Sequence, residues 1–179
     1  PFTLVFQPLV AIISAGNCAL VKPNEMSPHV SAVTTEIIQD IFDPEEIAVF
    51  EGPVQLANDL LDLPVDHIFF TGSPAIGKVV MAAAAKHLAS VTLELGGKSP
   101  TIIHESYSVK EAVERMAMGK CFNAGQTCVA PDYIFVHESK VDDFINAFRA
   151  QVTEMYPTMR DNPDLTSVVN DRQANRLRG

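Results

Sequence analysis

Short runs of β-branched and aromatic residues alternate along the whole chain with runs of helical period, and this alternation leaves few folds open. The runs at residues 18–21, 47–50, 67–70, 90–93, 101–103 and 133–136 predict short strands, several apolar at successive positions, as parallel strands beneath helices are. Helices are expected between them. Ser27-Pro28 and Ser73-Pro74 each set a hydroxyl before a proline at a first helical position, where the missing N–H costs nothing. These predict helices reaching about residues 39 and 87. Residues 108–120 and 139–156 carry apolar side chains at helical spacing behind a serine and predict two more. The expectation is an α/β chain of two domains, 1–96 and 97–179, divided where Gly96-Gly97 precedes a more charged, helix-heavy stretch.

With 179 residues and 47% apolar content the chain can bury a real core. Thirteen Lys and Arg against 22 Asp and Glu leave a net charge of −9, and no basic run is long enough to follow a phosphate backbone, so nucleic acid is excluded as a partner. Three cysteines make no disulfide scaffold, which points to a reducing, intracellular setting with free thiols. The apolar opening before Asn17 has no basic leader and is too short for a signal peptide or a spanning helix. The chain opens on Pro1 within an apolar pattern and stops inside the helical run NDRQANRLRG, so it is expected to be a piece of something longer.

Four stretches could carry chemistry. Phe69-Phe70-Thr71-Gly72-Ser73-Pro74-Ala75-Ile76-Gly77-Lys78 is a strand running through a Gly-Ser turn into a helix, a junction that offers N–H groups to an anion. Its Gly72 to Lys78 spacing approaches a phosphate loop, but Val79 stands where the metal-binding hydroxyl is required. A plain strand-to-helix turn is the alternative. Val21-Lys22-Pro23-Asn24-Glu25 leaves Lys22 and Glu25 at a strand's carboxyl end, where open parallel sheets bind ligands; two solvated charges are the alternative. Phe122-Asn123-Ala124-Gly125-Gln126-Thr127-Cys128 places a thiol behind a glycine hinge, where N–H donors could favour thiolate. Cys121 and Cys18 read as small core residues, and the scattered His and Cys lack metal-ligand spacing, so no metal is expected. Thr92-Leu93-Glu94-Leu95-Gly96-Gly97-Lys98-Ser99-Pro100 puts a carboxylate into a strand expected to be buried, where it needs either a partner such as Lys98 or a raised pKa suited to a general base.

Taken in order, VKPNE, FFTGSPAIGK, LELGGKSP and FNAGQTC resemble the NAD(P)-dependent aldehyde dehydrogenase superfamily over residues 1 to about 155. KVVMAAAAKHL and CVAPDY look most like its class 3, fatty-aldehyde and coniferyl-aldehyde branch. The resemblance implies a Rossmann-like parallel sheet with flanking helices over 1–96 and the start of an α/β catalytic domain over 97–179. It implies oxidation of an aldehyde to a carboxylic acid, with Cys128 as nucleophile, a thioester on that residue, and Glu94 as the base that activates the hydrolytic water. Half of the oxyanion hole would come from an asparagine just before the position of Pro1. Lys22 and Glu25 would hold the adenosine ribose and Ser73 the pyrophosphate. Gly72, Leu95 and Gly97 would border the cofactor and the active-site turn. NAD is favoured by Glu25, with NADP possible. The parent would be a homodimer or homotetramer, an intracellular and cytoplasmic protein in which a C-terminal membrane anchor remains open. A non-catalytic protein of the same fold and an enzyme passing its acyl group to coenzyme A are the rivals; Cys128 with Glu94 argues against the first, and Glu94 favours hydrolysis over the second.

Overall fold

The computed structural model describes all of residues 1–179. It divides into two compact units, Pro1–Leu95 and Gly96–Gly179. The elements run α1 (Phe2–Ser14), β1 (Ala19–Val21), α2 (Pro28–Ile41), β2 (Ile47–Val49), α3 (Val54–Leu61), β3 (His67–Gly72), α4 (Pro74–Ala85) and β4 (Ser90–Leu95) in the first unit. The second holds β5 (Ser99–Ile103), α5 (Val109–Cys121), β6 (Pro131–Val136), α6 (Val141–Met155) and α7 (Asp171–Arg178). No helix is long and apolar enough to cross a membrane.

Every strand pair is parallel: β1 with β2, β3 with β4, β5 with β6. Parallel neighbours cannot be joined by a tight turn, so each pair spends a helix on its connection, and the chain contains three successive βαβ units. The first unit holds two of them, with ladders β1-β2 and β3-β4, in keeping with the expected Rossmann-like α/β arrangement of parallel strands and flanking helices. Each crossover helix returns the chain beside the strand it left.

The strands β3 and β4 run two residues further than their apolar cores predict, through Gly72 and Leu95, because Thr71 pairs with Glu94 and Gly72 with Leu95 in the same ladder. Side chains alternate across a strand. Leu93 and Leu95 accordingly face α4, where a Cβ on buried Gly77 would lie 3.7 and 3.0 Å from their methyl groups. Small residues let α4 approach this closely, and Ala83 and Ala84 of the alanine run are buried with Val80. Ser90 and Thr92 share the opposite face, both bonded to the ring of His67 on β3, at 2.8 and 3.1 Å.

Two apolar clusters anchor the units. Leu9, Ile38 and Ile47 pack with Phe6, Val21 and Phe42 in the first, while Ile103, Val113, Met116 and Phe144 pack with Ile134 and Val136 in the second. Cys18 corrects an expectation: it precedes β1 and is exposed, because the ladder begins only at Ala19. Cys121 is part-buried at the last turn of α5, and burial pushes its thiol up, against the opposing pull of Lys120.

The α2 face carries one flaw. Thr34 is wholly buried, and its hydroxyl has no hydrogen-bond partner. A buried polar group without a partner costs about 1–3 kcal/mol, so Thr34→Val should stabilise the protein by roughly 1 kcal/mol in urea unfolding. A lower midpoint at unchanged slope would show that the hydroxyl is paired after all.

Candidate functional site

In the first unit, polar residues gather where β1 and β3 lead into their helices. Past β1, the Asn24 side chain accepts from the Met26 N–H at 2.9 Å, and its carbonyl accepts from Ser27 N–H and Ser31 Oγ at 3.1 and 2.9 Å. On this pinned loop Lys22 Nζ donates to Glu25 Oε2 at 2.9 Å and to the Pro23 carbonyl at 3.2 Å. The two predicted ribose residues are thus brought together as an ion pair. The hydrogen bond from Lys22 is the chief reason that the Glu25 carboxyl sits below the ordinary glutamate range.

Past β3, Ser73 caps α4: its Oγ accepts from Ile76 N–H at 3.4 Å, and Gly77 N–H closes on its carbonyl at 2.9 Å. Pro74 has no N–H to offer, which leaves the exposed Ser73 hydroxyl and the Ala75 N–H facing outward. A donor set of this kind suits an anion. The space that a side chain on Gly72 would take is already filled by the Phe70 ring, and Leu95 spends its side chain on Gly77, so a ligand would meet backbone at both positions. Sequence reasoning missed an open groove of about 530 Å³ between α3 and α4, lined among others by Leu61, Asp62, Lys78, Val79 and Lys86. Across its rim Lys86 pairs with Asp62 at 2.8 Å, lowering the Asp62 carboxyl. No single spacing rule joins residues from two helices in that way.

Glu94 lies on the exposed face of β4, opposite Leu93 and Leu95. The burial expected for it is absent, since strand alternation turns every second residue outward. Its suggested partner is also taken: Lys98 Nζ pairs with Asp132 Oδ2 at 2.9 Å.

In the second unit, Cys128 is exposed on a turn between a short 3₁₀ segment, Phe122–Gly125, and β6. The Ala130 N–H closes this turn on the Thr127 carbonyl at 3.0 Å. A Cβ on Gly97 would sit 3.0 Å from the Cys128 carbonyl oxygen, so only glycine lets the backbone before β5 lie against the thiol turn without displacement. Three consecutive residues ahead of it, Asn123, Ala124 and Gly125, are left-handed, with φ of 51°, 55° and 72°. The conformation suits Gly125 and costs about 1–2 kcal/mol at a residue bearing a Cβ. Gln126 offsets that strain: Oε1 accepts from Val169 N–H at 2.9 Å, while Nε2 donates to the Asn123 carbonyl at 2.9 Å and the Ser167 carbonyl at 3.2 Å. Val129, next to the thiol in the chain, is 72% exposed, and Phe122 at the start of the 3₁₀ segment is 64% exposed. No three His, Cys, Asp or Glu side chains converge as a metal site would need.

The model of the aldehyde dehydrogenase family matches residues 1–179. The chain is 43% identical over 177 residues to a coniferyl aldehyde dehydrogenase of Pseudomonas sp., covering 99% of this chain and 37% of that one. Its backbone is similar to the substrate-bound AldH of Staphylococcus aureus, with a TM-score of 0.91 and 47% identity over 99% of this chain and 39% of that one. It is also similar to a Mycobacterium tuberculosis aldehyde dehydrogenase complexed with NAD+, with a TM-score of 0.80 and 30% identity over 91% and 35% of the two chains. The chain spans about two fifths of the length of the curated relatives it matches.

Removing the ammonium of Lys22 tests the pairing with Glu25. The lowered carboxyl pKa means that the pair contributes above the ordinary glutamate range and that its contribution is lost as pH falls through the lowered value. In Lys22→Met the Glu25 carboxyl resonance should titrate at a higher pH, nearer the ordinary value, with stability at neutral pH falling by no more than about 1 kcal/mol, as for other part-exposed pairs. An unmoved titration would mean that the two side chains are apart in solution.

Proposed function

Since the chain belongs to the aldehyde dehydrogenase family, in the branch of class 3 and coniferyl-aldehyde enzymes, we propose that it forms the cofactor-binding part and the thiol-bearing start of the catalytic part of an enzyme that oxidises aldehydes to carboxylic acids with NAD(P). The observation that carries this reading is that both reactive groups are open to solvent, the Cys128 thiol on its turn and the Glu94 carboxylate on the outward face of β4.

Exposure lets the Cys128 sulfur reach a carbonyl carbon. As thiolate it adds to the aldehyde, and the Cys128 N–H would donate to the oxyanion that forms. NAD(P), when bound, supplies the hydride acceptor through which the adduct on Cys128 becomes a thioester. Glu94, open to water on its strand face, takes a proton from the water that attacks the thioester, which releases the carboxylic acid and restores the thiol. The presence of this carboxylate favours hydrolysis over acyl transfer to coenzyme A, and the presence of both thiol and carboxylate argues against a purely structural role.

The residues of the first unit fit a dinucleotide. Glu25 can accept both hydroxyls of a ribose, with Lys22 beside it, and a carboxylate there disfavours a 2′-phosphate and hence NADP. Ser73 Oγ–H and the Ala75 N–H would meet the pyrophosphate at the start of α4. The apolar floor of the groove between α3 and α4 would take the adenine ring. Bare Val129, next to Cys128 in the chain, favours an apolar or aromatic aldehyde.

In the full-length protein that carries this chain, Cys128→Ser should abolish NAD reduction by medium-chain and aromatic aldehydes. Turnover at the parent rate would remove the nucleophile assignment. Glu94→Gln should leave a first-turnover burst of NADH while slowing acid release by a factor of about 10²–10⁴, the usual contribution of a general base. Equal slowing of the burst and of acid release would assign Glu94 a different task.

A further inference from the structure

The clasp made by Gln126 reaches beyond the needs of a turn. We propose that Gln126 is a positioning residue for Cys128, its amide fastening the thiol turn to residues 167–169; the proposal rests on the reading of Cys128 as nucleophile. Five hydrogen bonds make the case. The side-chain amide accepts from Val169 N–H and donates to the Ser167 and Asn123 carbonyls, so both of its N–H groups and one acceptor position are used. The Asn123 side chain donates back to the Gln126 carbonyl at 3.2 Å, and the Gln126 N–H closes on the Asn123 carbonyl at 3.1 Å. Across the gap, the amide pairs with a carbonyl and an N–H two residues apart on the same segment, much as a neighbouring strand would.

The clasp bridges two parts of the chain 41 and 43 residues apart. It begins at Asn123 and ends immediately before the Thr127–Ala130 turn, so it spans the left-handed run and fixes the direction in which the backbone delivers Cys128. On the other side of the turn, Gly97 backs the Cys128 carbonyl. A turn held at both flanks presents one orientation of sulfur and backbone N–H, and small losses of such orientation lower the rate of a positioned reaction steeply. Beyond Val169, Asn170 accepts from Gln173 N–H at 3.0 Å as the cap of α7, so the far side of the clasp is itself anchored.

The test uses the full-length protein with Gln126→Ala and with Gln126→Glu, which keeps the acceptor for Val169 but replaces the two donors by an oxygen facing two carbonyls. Three readouts are taken: kcat and the KM for NAD, the rate of Cys128 alkylation by iodoacetamide without aldehyde, and hydrogen exchange of the Val169 amide. Expected in Gln126→Ala are a kcat lower by about 10- to 100-fold at an unchanged KM for NAD, an altered alkylation rate and faster exchange at Val169. Gln126→Glu should lose as much of kcat and alter alkylation, with less change at Val169. Parent kcat and parent alkylation rate in either folded variant overturn the proposal, as does a loss confined to thermal stability. Should Gln126→Ala fail to fold, Gln126→Glu decides on the same readouts. Alkylation and exchange do not require aldehyde oxidation, so an active Cys128→Ser protein would refute the reaction while leaving the clasp to be judged by those two measurements.

Discussion

Parallel pairing governs this chain. A parallel neighbour must be reached by a crossover, so each of the three ladders carries a helix between its strands, and polar residues collect where the first strand of a pair hands over to that helix. The loop at Lys22 and Glu25 and the cap at Ser73 are two such handovers, both at strand carboxyl ends. The third βαβ departs from the pattern. Its distinctive residue, Cys128, lies in the return from α5 into β6, and it is presented by a turn and a side-chain clasp where the first two use a helix start.

How far the sequence discloses this fold depends on the range of the signal. All six strands and the helices α2, α4, α5 and α6 are legible, since period, β-branching and serine punctuation are local, although α6 itself starts at Val141, behind Lys140 and two residues past Ser139. By contrast α1 is hidden by Pro8 in mid-helix and by an apolar run without polar relief. The two-residue extensions of β3 and β4 are hidden because Gly72 and Glu94 have weak strand preference, and only pairing across the ladder makes them strand. Cys18 misleads for a related reason: it looks like the start of an apolar run, but its ladder begins one residue later.

For the candidate site, identities are legible and environments are not. A thiol behind a glycine and a carboxylate among leucines can be picked out by type and spacing. Glu94 then proves exposed where burial was expected, and Lys98 goes to Asp132, because strand faces and ion-pair partners are decided by tertiary register. Gln126 shows the limit most clearly. Its partners at Ser167 and Val169 are backbone groups, which no side-chain pattern betrays, and its worth lies in holding a left-handed run that includes Ala124, whose residue type does not advertise that conformation.

The outward turn of Glu94 has a cause that can be traced to a single small residue. Leu93 and Leu95 lie close against α4 because Gly77 leaves room for their methyl groups, and those two contacts set the face on which each residue of β4 falls. A slip of one residue would send Glu94 into the helix interface and bring leucine to the open face, so register is held by the cost of burying a carboxylate as well as by the gain from the leucines. The same register pairs Glu94 with Thr71 and leaves Leu95 as the last residue of the ladder, with Gly96 and Gly97 free to turn the chain. Gly97 can then take its place against the Cys128 carbonyl. The carboxylate and the thiol turn are thus each located by packing against a glycine, one on the helix that covers β4 and one in the link that leaves it, and neither glycine carries any chemistry of its own.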